Sequence, residues 1–212
     1  MQMNALTRIR RSIASEDGFS LAEVMLTTML MGFIMGAAWL VMSTVSTVSD
    51  GIIARGQAQT QGQLAIEKMT REIRMGQKLY DRPPASNEHR FMDYTASTVT
   101  FFADVNHNGT IDEVKYNVAN GTVTRSVAVA TVSPPNLPYT DQFGAFSTPL
   151  KIASVSPTDT TVFSYLDNTG ASAGGQVSIC AVKVDLSTVA KSGTSSVTVD
   201  FPTATIDVRA FK

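Results

Sequence analysis

The sequence predicts an α+β protein in which one long N-terminal α-helix packs on a C-terminal antiparallel β-sheet. Three observations support this fold class. Residues 24–49 contain no charged side chain, residues 50–80 repeat apolar side chains at helical spacing, and residues 98–211 contain β-branched runs separated by turn residues. The first pattern predicts a helix of membrane length, the second an amphipathic helix, and the third a series of strands.

A basic segment precedes the apolar run. Residues 1–18 carry Arg8, Arg10 and Arg11, which is typical of a leader held on the cytoplasmic side of a membrane. The uncharged run would extend about 39 Å as a helix, more than the ~30 Å hydrocarbon core of a bilayer. We therefore expect residues 19–49 to cross the inner (cytoplasmic) membrane once, with the C-terminal domain outside the cytoplasm.

Glu23 is the only charged residue between Asp17 and Asp50. A carboxylate at the centre of a bilayer costs about 2.5–3.5 kcal/mol on insertion scales, so an acid at this end of the helix indicates a cationic partner. An ordinary signal peptide does not fit, because its apolar region is only about 7–15 residues long and ends at a small-residue cleavage site. A plain signal anchor fits the length but gives no reason for Glu23.

The junction between leader and helix is similar to a known processing motif. Gly18-Phe-Ser-Leu-Ala-Glu23-Val resembles the class III signal of type IV pilins and type II secretion pseudopilins. The resemblance implies that a prepilin peptidase cuts between Gly18 and Phe19 and methylates the new amine of Phe19. It also implies that Glu23, at the place of the family's conserved acid, pairs with the Phe19 amine of a neighbouring subunit and fixes the register of a filament. Ser20 and Ala22 depart mildly from the family's commoner residues.

The predicted helix has two packing surfaces. In its membrane half, Gly32 and Gly36 lie on one face at a spacing that lets two helix backbones approach closely. In its amphipathic half, residues 50–80, one stripe is expected to lie on the sheet; its members are Ala54, Ala58, Ala65, Ile66, Met69, Ile73 and Leu79.

Charge spacing and prolines predict the surface and the end of this helix. Glu67 with Arg71, and Lys68 with Glu72, are spaced for surface ion pairs. Because Pro83-Pro84 cannot continue a helix, we expect it to end near Tyr80.

Residues 81–212 are expected to form a sheet-rich globular domain. Asn120-Gly121 is a strong hairpin turn between two strand patterns. A proline-rich loop separates two groups of strands, and the candidates are residues 99–103, 114–118, 122–130, 151–155, 161–165, 177–186, 196–201 and 205–211.

The order of turns and strands resembles the minor pilin and pseudopilin subgroup related to type IV pilus protein W and secretion pseudopilin J. The similarity runs through residues 101–116, 120–125, 165–168 and 182–186. It implies a minor subunit. Leu40 agrees, because major pilins commonly carry a helix-kinking proline at that place.

Residues 104–113 resemble the opening of an EF-hand Ca²⁺ loop. Gly109 stands at the sharp turn, and the candidate ligands are Asp104, Asn106, Asn108, the carbonyl of Thr110, and Asp112. Lys115 stands where the bidentate glutamate belongs, and both flanks have strand patterns. The sequence therefore favours a turn or hairpin loop built from Asn-Gly, with a shortened Ca²⁺ loop as the alternative.

Composition narrows the functional classes. A formal net charge of −1 argues against nucleic-acid binding, which needs a clustered basic surface. Cys180 is the only cysteine, and its alternation with Val182 predicts a small core residue rather than a nucleophile. The sequence lacks hydrolase, P-loop and dithiol motifs, and its histidines, His89 and His107, lie in loop-like segments. We expect no enzymatic activity and, apart from the Ca²⁺ alternative, no cofactor.

These patterns predict a structural minor pilin or pseudopilin that takes part in the assembly or priming of a type IV pilus or type II secretion pseudopilus. The resemblance implies three partners: the prepilin peptidase, other major and minor pilins or pseudopilins, and the inner-membrane assembly platform. The alternative is a signal-anchored extracytoplasmic β domain that binds a ligand or Ca²⁺ without polymerising. Only the first hypothesis requires removal of residues 1–18.

Overall fold

The computed structural model describes residues 19–84, 87–132, 138–157, 159–175 and 178–208. The chain divides into two compact units, residues 1–48 and 49–212. A single helix of 54 residues, α1 (Leu21–Arg74), contributes to both. The predicted leader, including Gly18, lies outside the described residues.

In the first unit, every described residue from Phe19 to Val48 is exposed. Many of the exposed side chains are large and apolar, and Trp39 is 75% exposed. This part of α1 is long and apolar enough to cross a membrane. A helix with this much exposed apolar surface needs lipid or other helices around it, because water does not support so much contiguous apolar surface.

The second unit combines the remainder of α1 with antiparallel strands. They are β1 (Leu79–Tyr80), β2 (Glu88–His89), β3 (Phe91–Tyr94), β4 (Thr98–Ala103), β5 (Asp112–Ala119), β6 (Thr122–Ala128), β7 (Leu150–Ser154), β8 (Phe163–Leu166), β9 (Ala181–Val184), β10 (Ser187–Ser192), β11 (Ser195–Asp200) and β12 (Ala204–Asp207). A five-stranded meander has the order β3-β4-β5-β6-β7, and a three-stranded sheet has the order β12-β9-β8. The pairs β1-β2 and β10-β11 form separate two-stranded sheets.

The Asn120-Gly121 turn is confirmed. It joins β5 to β6, with Ala119 paired to Thr122, and both turn residues have positive φ (51° and 69°). Two positive φ values belong to the primed turn whose twist matches that of a hairpin. Asparagine tolerates this conformation and glycine adopts it without steric cost, so the dipeptide sets the register of the two central strands.

The predicted stripe of α1 is confirmed as the helix side of the core. Ala54, Ala58, Ala65, Met69 and Ile73 are buried. One apolar cluster joins α1 to both larger sheets, with members such as Phe101, Tyr116, Val182 and Ile206. The long N-terminal helix on antiparallel sheets is therefore the α+β fold that the sequence predicts.

Small residues let the strands approach the helix backbone closely. The hydroxyl of Thr188 in β10 donates to the carbonyl of Ala58 at 2.7 Å, and both groups are buried. Gly62 is buried as well, and a Cβ built on it would overlap the ring of Phe201. Glycine at position 62 therefore makes room for an aromatic ring.

The predicted helix end near Tyr80 is wrong. The helix ends at Arg74, and the amide of Gly76 closes a turn on the carbonyl of Ile73 at 3.0 Å. Gln77 then pairs with Phe102, and Leu79 lies in β1. Pairing with strands therefore captures the chain before the prolines are reached.

The prediction for Cys180 is also wrong. Its side chain is exposed, while Ile179 is buried. The predicted strand 177–186 is shorter in the structure, because β9 begins only at Ala181. The alternation therefore holds for Val182, Val184 and Leu186 but does not extend back to the cysteine. The sequence analysis did not predict four of the strands, which are β1, β2, β3 and β10.

Candidate functional site

The first site predicted from the sequence lies at the start of α1. Phe19 is 77% exposed, and the helix begins two residues later at Leu21. The backbone amide of Glu23 donates to the hydroxyl oxygen of Ser20 at 3.2 Å, so Ser20 caps the helix. Ser-x-x-Glu is the capping-box pattern, which offers Glu23 a local role that the processing motif does not reveal.

Local interactions alone do not account for an acid in this membrane segment. A carboxylate in the first helical turn gains only about 0.3–1 kcal/mol from the helix dipole. At the centre of a bilayer, its burial would cost about 2.5–3.5 kcal/mol. The described residues contain no salt-bridge partner for Glu23. In a bilayer, the interactions of Glu23 with the described residues would not offset that cost.

Gly32 and Gly36 lie further along the same exposed segment. A Cβ built on either residue would meet nothing within 4 Å. Within the described structure, neither position needs glycine for space, unlike Gly62. Their exposed face is compatible with close helix packing, which stays a prediction.

A buried polar network joins α1 to the central sheet, and the sequence analysis missed it. One carboxylate oxygen of Glu72, Oε2, accepts hydrogen bonds from the Tyr116 hydroxyl at 2.6 Å and from Arg125 Nε at 2.8 Å. The spacing of Lys68 and Glu72 predicted a surface ion pair. This prediction is wrong, because Glu72 lies in the buried network instead. Position 72 falls on the buried stripe between Met69 and Ile73, and this placement could have revealed from the sequence that Glu72 is buried.

The electrostatics of this network are those of a paired buried charge. Burial lowers the pKa of Arg125, but the hydrogen bond and charge of Glu72 outweigh it and raise the pKa overall. Burial and the neighbouring charge of Glu72 raise the pKa of Tyr116 far above its usual range. Arg125 therefore stays charged and Tyr116 stays protonated over the physiological pH range, so the network fits a structural role better than proton transfer.

The second predicted site, residues 104–112, is the loop between β4 and β5. Both flanks are strands, and Ala103 pairs with Asp112 at the base of the loop. The loop therefore connects two strands of a hairpin, as both the plain hairpin and the shortened Ca²⁺ loop require. His107 and Gly109 have positive φ values of 56° and 79°.

Backbone amides hold the oxygen-bearing side chains of this loop in place. Asp104 accepts hydrogen bonds from the amides of Asn108 at 3.2 Å and Gly109 at 3.0 Å. The side-chain oxygen of Asn106 accepts from the Asn108 amide, and that of Asn108 accepts from the Thr110 amide. The loop thus gathers the predicted ligand residues into one cluster.

Asp112 differs from the other loop residues because it is fully buried. Its Oδ2 accepts a hydrogen bond from Asn106 Nδ2 at 3.0 Å, whereas its Oδ1 is buried without a hydrogen-bond partner. Burial, with the charge of Asp104, raises the pKa of Asp112. No group of three or more His, Cys, Asp or Glu side chains converges in the part of the chain that the structure describes. Any metal site here depends on amide oxygens as well.

The two histidines lie apart. Nε2 of His89 is 2.9 Å from Asp81 Oδ2, and Asp81 also accepts from the Thr140 hydroxyl. His107 lines a surface cleft of about 670 Å³ together with Asp104, Arg71 and Arg74. Neither arrangement presents a nucleophile with an oriented base.

Comparison with known proteins adds no identification. No protein-family model matches the chain, and no curated protein matches it significantly. The pilin resemblance therefore depends on the motif at residues 18–24 and on the turns and strands of the C-terminal domain.

Proposed function

We propose that this chain is a structural subunit of a membrane-derived filament, a minor pilin or pseudopilin cut between Gly18 and Phe19. The observation that carries the proposal is the combination found at the start of α1. From Leu21 to Val48, α1 is wholly exposed and mostly apolar, and its single carboxylate is that of Glu23 in the first turn.

Under this proposal, the exposed apolar surface of residues 19–48 is covered first by lipid and later by protein. Lipid surrounds residues 19–48 before assembly, and the equivalent helices of neighbouring subunits surround them afterwards. Both environments bury apolar side chains such as Trp39 that water would otherwise contact. Gly32 and Gly36 would let those helices pack closely.

Processing supplies the missing partner of Glu23. Cleavage before Phe19 creates an α-amine, which has an ordinary pKa of about 7.7–8.0 and is largely cationic at neutral pH. Methylation keeps that amine cationic. A buried pair between this amine and Glu23 of the next subunit is strongly selective, because loss of one partner costs roughly 3–5 kcal/mol. Assembly would therefore favour cut subunits over uncut ones.

The processing step is tested by the N-terminus of the protein recovered from cells that make a prepilin peptidase. We expect a chain beginning at methylated Phe19, identified by mass spectrometry. Cells without the peptidase serve as the control and should yield a chain that retains residues 1–18. Retention of those residues in the presence of an active peptidase would contradict the proposal.

The role of Glu23 is tested by Glu23→Gln rather than by alanine alone. Glutamine also serves at this position of a capping box, so the variant keeps the helix start and removes the charge. We expect normal cleavage but impaired incorporation into filaments or tip complexes, measured by cross-linking to other subunits. Glu67→Gln, on an exposed face of the same helix, is the matched control and should assemble normally. Normal incorporation of Glu23→Gln would leave only the capping role.

The alternative is a signal-anchored domain that binds a ligand or Ca²⁺ without polymerising, and one observation supports Ca²⁺ binding. It is the buried, unpartnered oxygen of Asp112. The alternative predicts that residues 1–18 stay on the protein and that Glu23→Gln has no effect on the localisation of the chain.

A further inference from the structure

The β4-β5 loop presents several oxygen atoms at one end of the five-stranded sheet. Side-chain oxygens of Asp104, Asn106 and Asn108 each accept backbone amide hydrogen bonds within the loop. A carboxylate or amide oxygen that accepts one hydrogen bond keeps a second lone-pair direction. The amides therefore hold these oxygens in place without exhausting them as ligands.

An independent observation points to a ligand at this place. Asp112 is fully buried, and its Oδ1 atom has no hydrogen-bond partner. Folded proteins seldom leave such an oxygen unsatisfied, because its hydration is lost without replacement. The other oxygen of this carboxylate, Oδ2, accepts from Asn106 Nδ2 at 3.0 Å, so the carboxylate lies beside the loop. A cation at the loop would satisfy the orphaned atom.

We propose that the 104–112 loop binds one Ca²⁺ ion through the side chains of Asp104, Asn106, Asn108 and Asp112 and the carbonyl of Thr110. Two carboxylates balance the charge of a divalent cation, and all the ligands are the hard oxygen donors that Ca²⁺ takes. Mg²⁺ suits the site less well, because it requires near-ideal octahedral geometry and releases its water reluctantly.

The affinity should be modest. Lys115, at the place of the bidentate glutamate of an EF-hand, lies on β5 with its amine 3.5 Å from Asp93 and is not a ligand. Arg71 and Arg74 line the same cleft as Asp104 and oppose a cation electrostatically. We therefore expect a Kd in the range of weak extracellular Ca²⁺ modules, roughly 10⁻⁴–10⁻³ M. The site does not depend on Phe19 or Glu23, so it stands apart from the filament proposal.

The test uses the full chain in detergent micelles after removal of divalent cations with a chelator. Isothermal titration with Ca²⁺ should give one site per chain. At ten times the Kd, mass action should raise the melting temperature by about 3–6 °C. Mg²⁺ at the same concentration should raise it much less.

Three variants locate the effect. Asp104→Asn and Asp112→Asn should each weaken Ca²⁺ binding at least about tenfold, since each removes one charged ligand. Asp167→Asn is the matched control, because Asp167 also accepts backbone amides in a loop, from Thr169 and Ala171, but lies outside the proposed site. It should keep the wild-type affinity.

Absence of Ca²⁺ binding to the wild-type chain would overturn the proposal, whether or not the variants fold. An equal thermal shift with Mg²⁺ or with sodium chloride of matched ionic strength would overturn it too, because it would indicate screening rather than a site. Unchanged affinity in both aspartate variants would exclude this loop as the binding place.

Discussion

The buried carboxylate of Glu72 gives the sharpest stability prediction, through removal of its partner Arg125. The Arg125 and Glu72 side chains are 14% and 6% exposed, and their atoms Nε and Oε2 lie 2.8 Å apart. Arg125→Met keeps much of the aliphatic packing but leaves the carboxylate unpaired. Removal of one member of a buried pair costs roughly 3–5 kcal/mol.

The lower end of that range applies here. Arg125 retains some exposure, so water can reach the vacated space, and the Tyr116 hydroxyl still donates to Glu72. A loss of about 3 kcal/mol corresponds to a fall in melting temperature of about 6–12 °C for a chain of this size. Tyr116→Phe removes a single hydrogen bond to the charged acceptor and should cost about 1.5–3 kcal/mol.

The assay is thermal unfolding of the full chain in detergent, followed by near-ultraviolet circular dichroism of the buried aromatic rings. The matched control removes all three polar groups together, as Glu72→Leu, Tyr116→Phe and Arg125→Met. Replacement of a buried ionic network by apolar groups is often neutral or stabilising. The triple variant should therefore be more stable than Arg125→Met alone. The reasoning is refuted if Arg125→Met melts within about 2 °C of the wild type, or if the triple variant is the least stable of all.

Three further predictions concern single positions. Gly62→Ala should lower the free energy of unfolding by about 1–2 kcal/mol in urea titrations, because the new Cβ would overlap Phe201. Gly56 has open space around it, so Gly56→Ala should raise the free energy of unfolding by about 0.5–1 kcal/mol. Asp112→Asn should raise the melting temperature of the cation-free chain at pH 7 but not at pH 3. Burial and Asp104 raise the pKa of Asp112 above its ordinary 3.8, so its ionised form destabilises the fold above that raised pKa and the penalty vanishes on acidification; an equal gain at both pH values would contradict this. Cys180 should react with a maleimide in the folded chain at a rate near that of a free thiol, and protection until unfolding would show that it is buried.

The elements predicted correctly are those in which local pattern and tertiary environment agree. The stripe from Ala54 to Ile73 has helical periodicity and meets a sheet, so periodicity alone locates the buried face. Asn120-Gly121 is favourable in isolation and in the hairpin alike. The same holds for the loop at Asp104, whose asparagines and glycine suit a turn.

The failures have a common cause, which is that distant parts of the chain decide the outcome. The helix end depends on Gln77 pairing with Phe102, and the location of Glu72 depends on Arg125, far along the sequence. Alternation predicts that neighbouring residues take opposite faces, but the start of β9 decides whether Cys180 takes part in it. The orphaned oxygen of Asp112 is visible only once the packing around it is known.

The cap formed by Ser20 has a consequence for proteolysis. Proteases act on backbone that is not engaged in regular hydrogen bonding, and the first residue of α1 is Leu21, with Phe19 and Ser20 outside the helix. A peptidase acting on the amino side of Phe19 would therefore not have to unwind the first turn of α1, which begins at Leu21. Loss of the Ser20 hydroxyl would remove the cap at this end of α1, so one small side chain helps to fix the start of the helix two residues after the proposed cut.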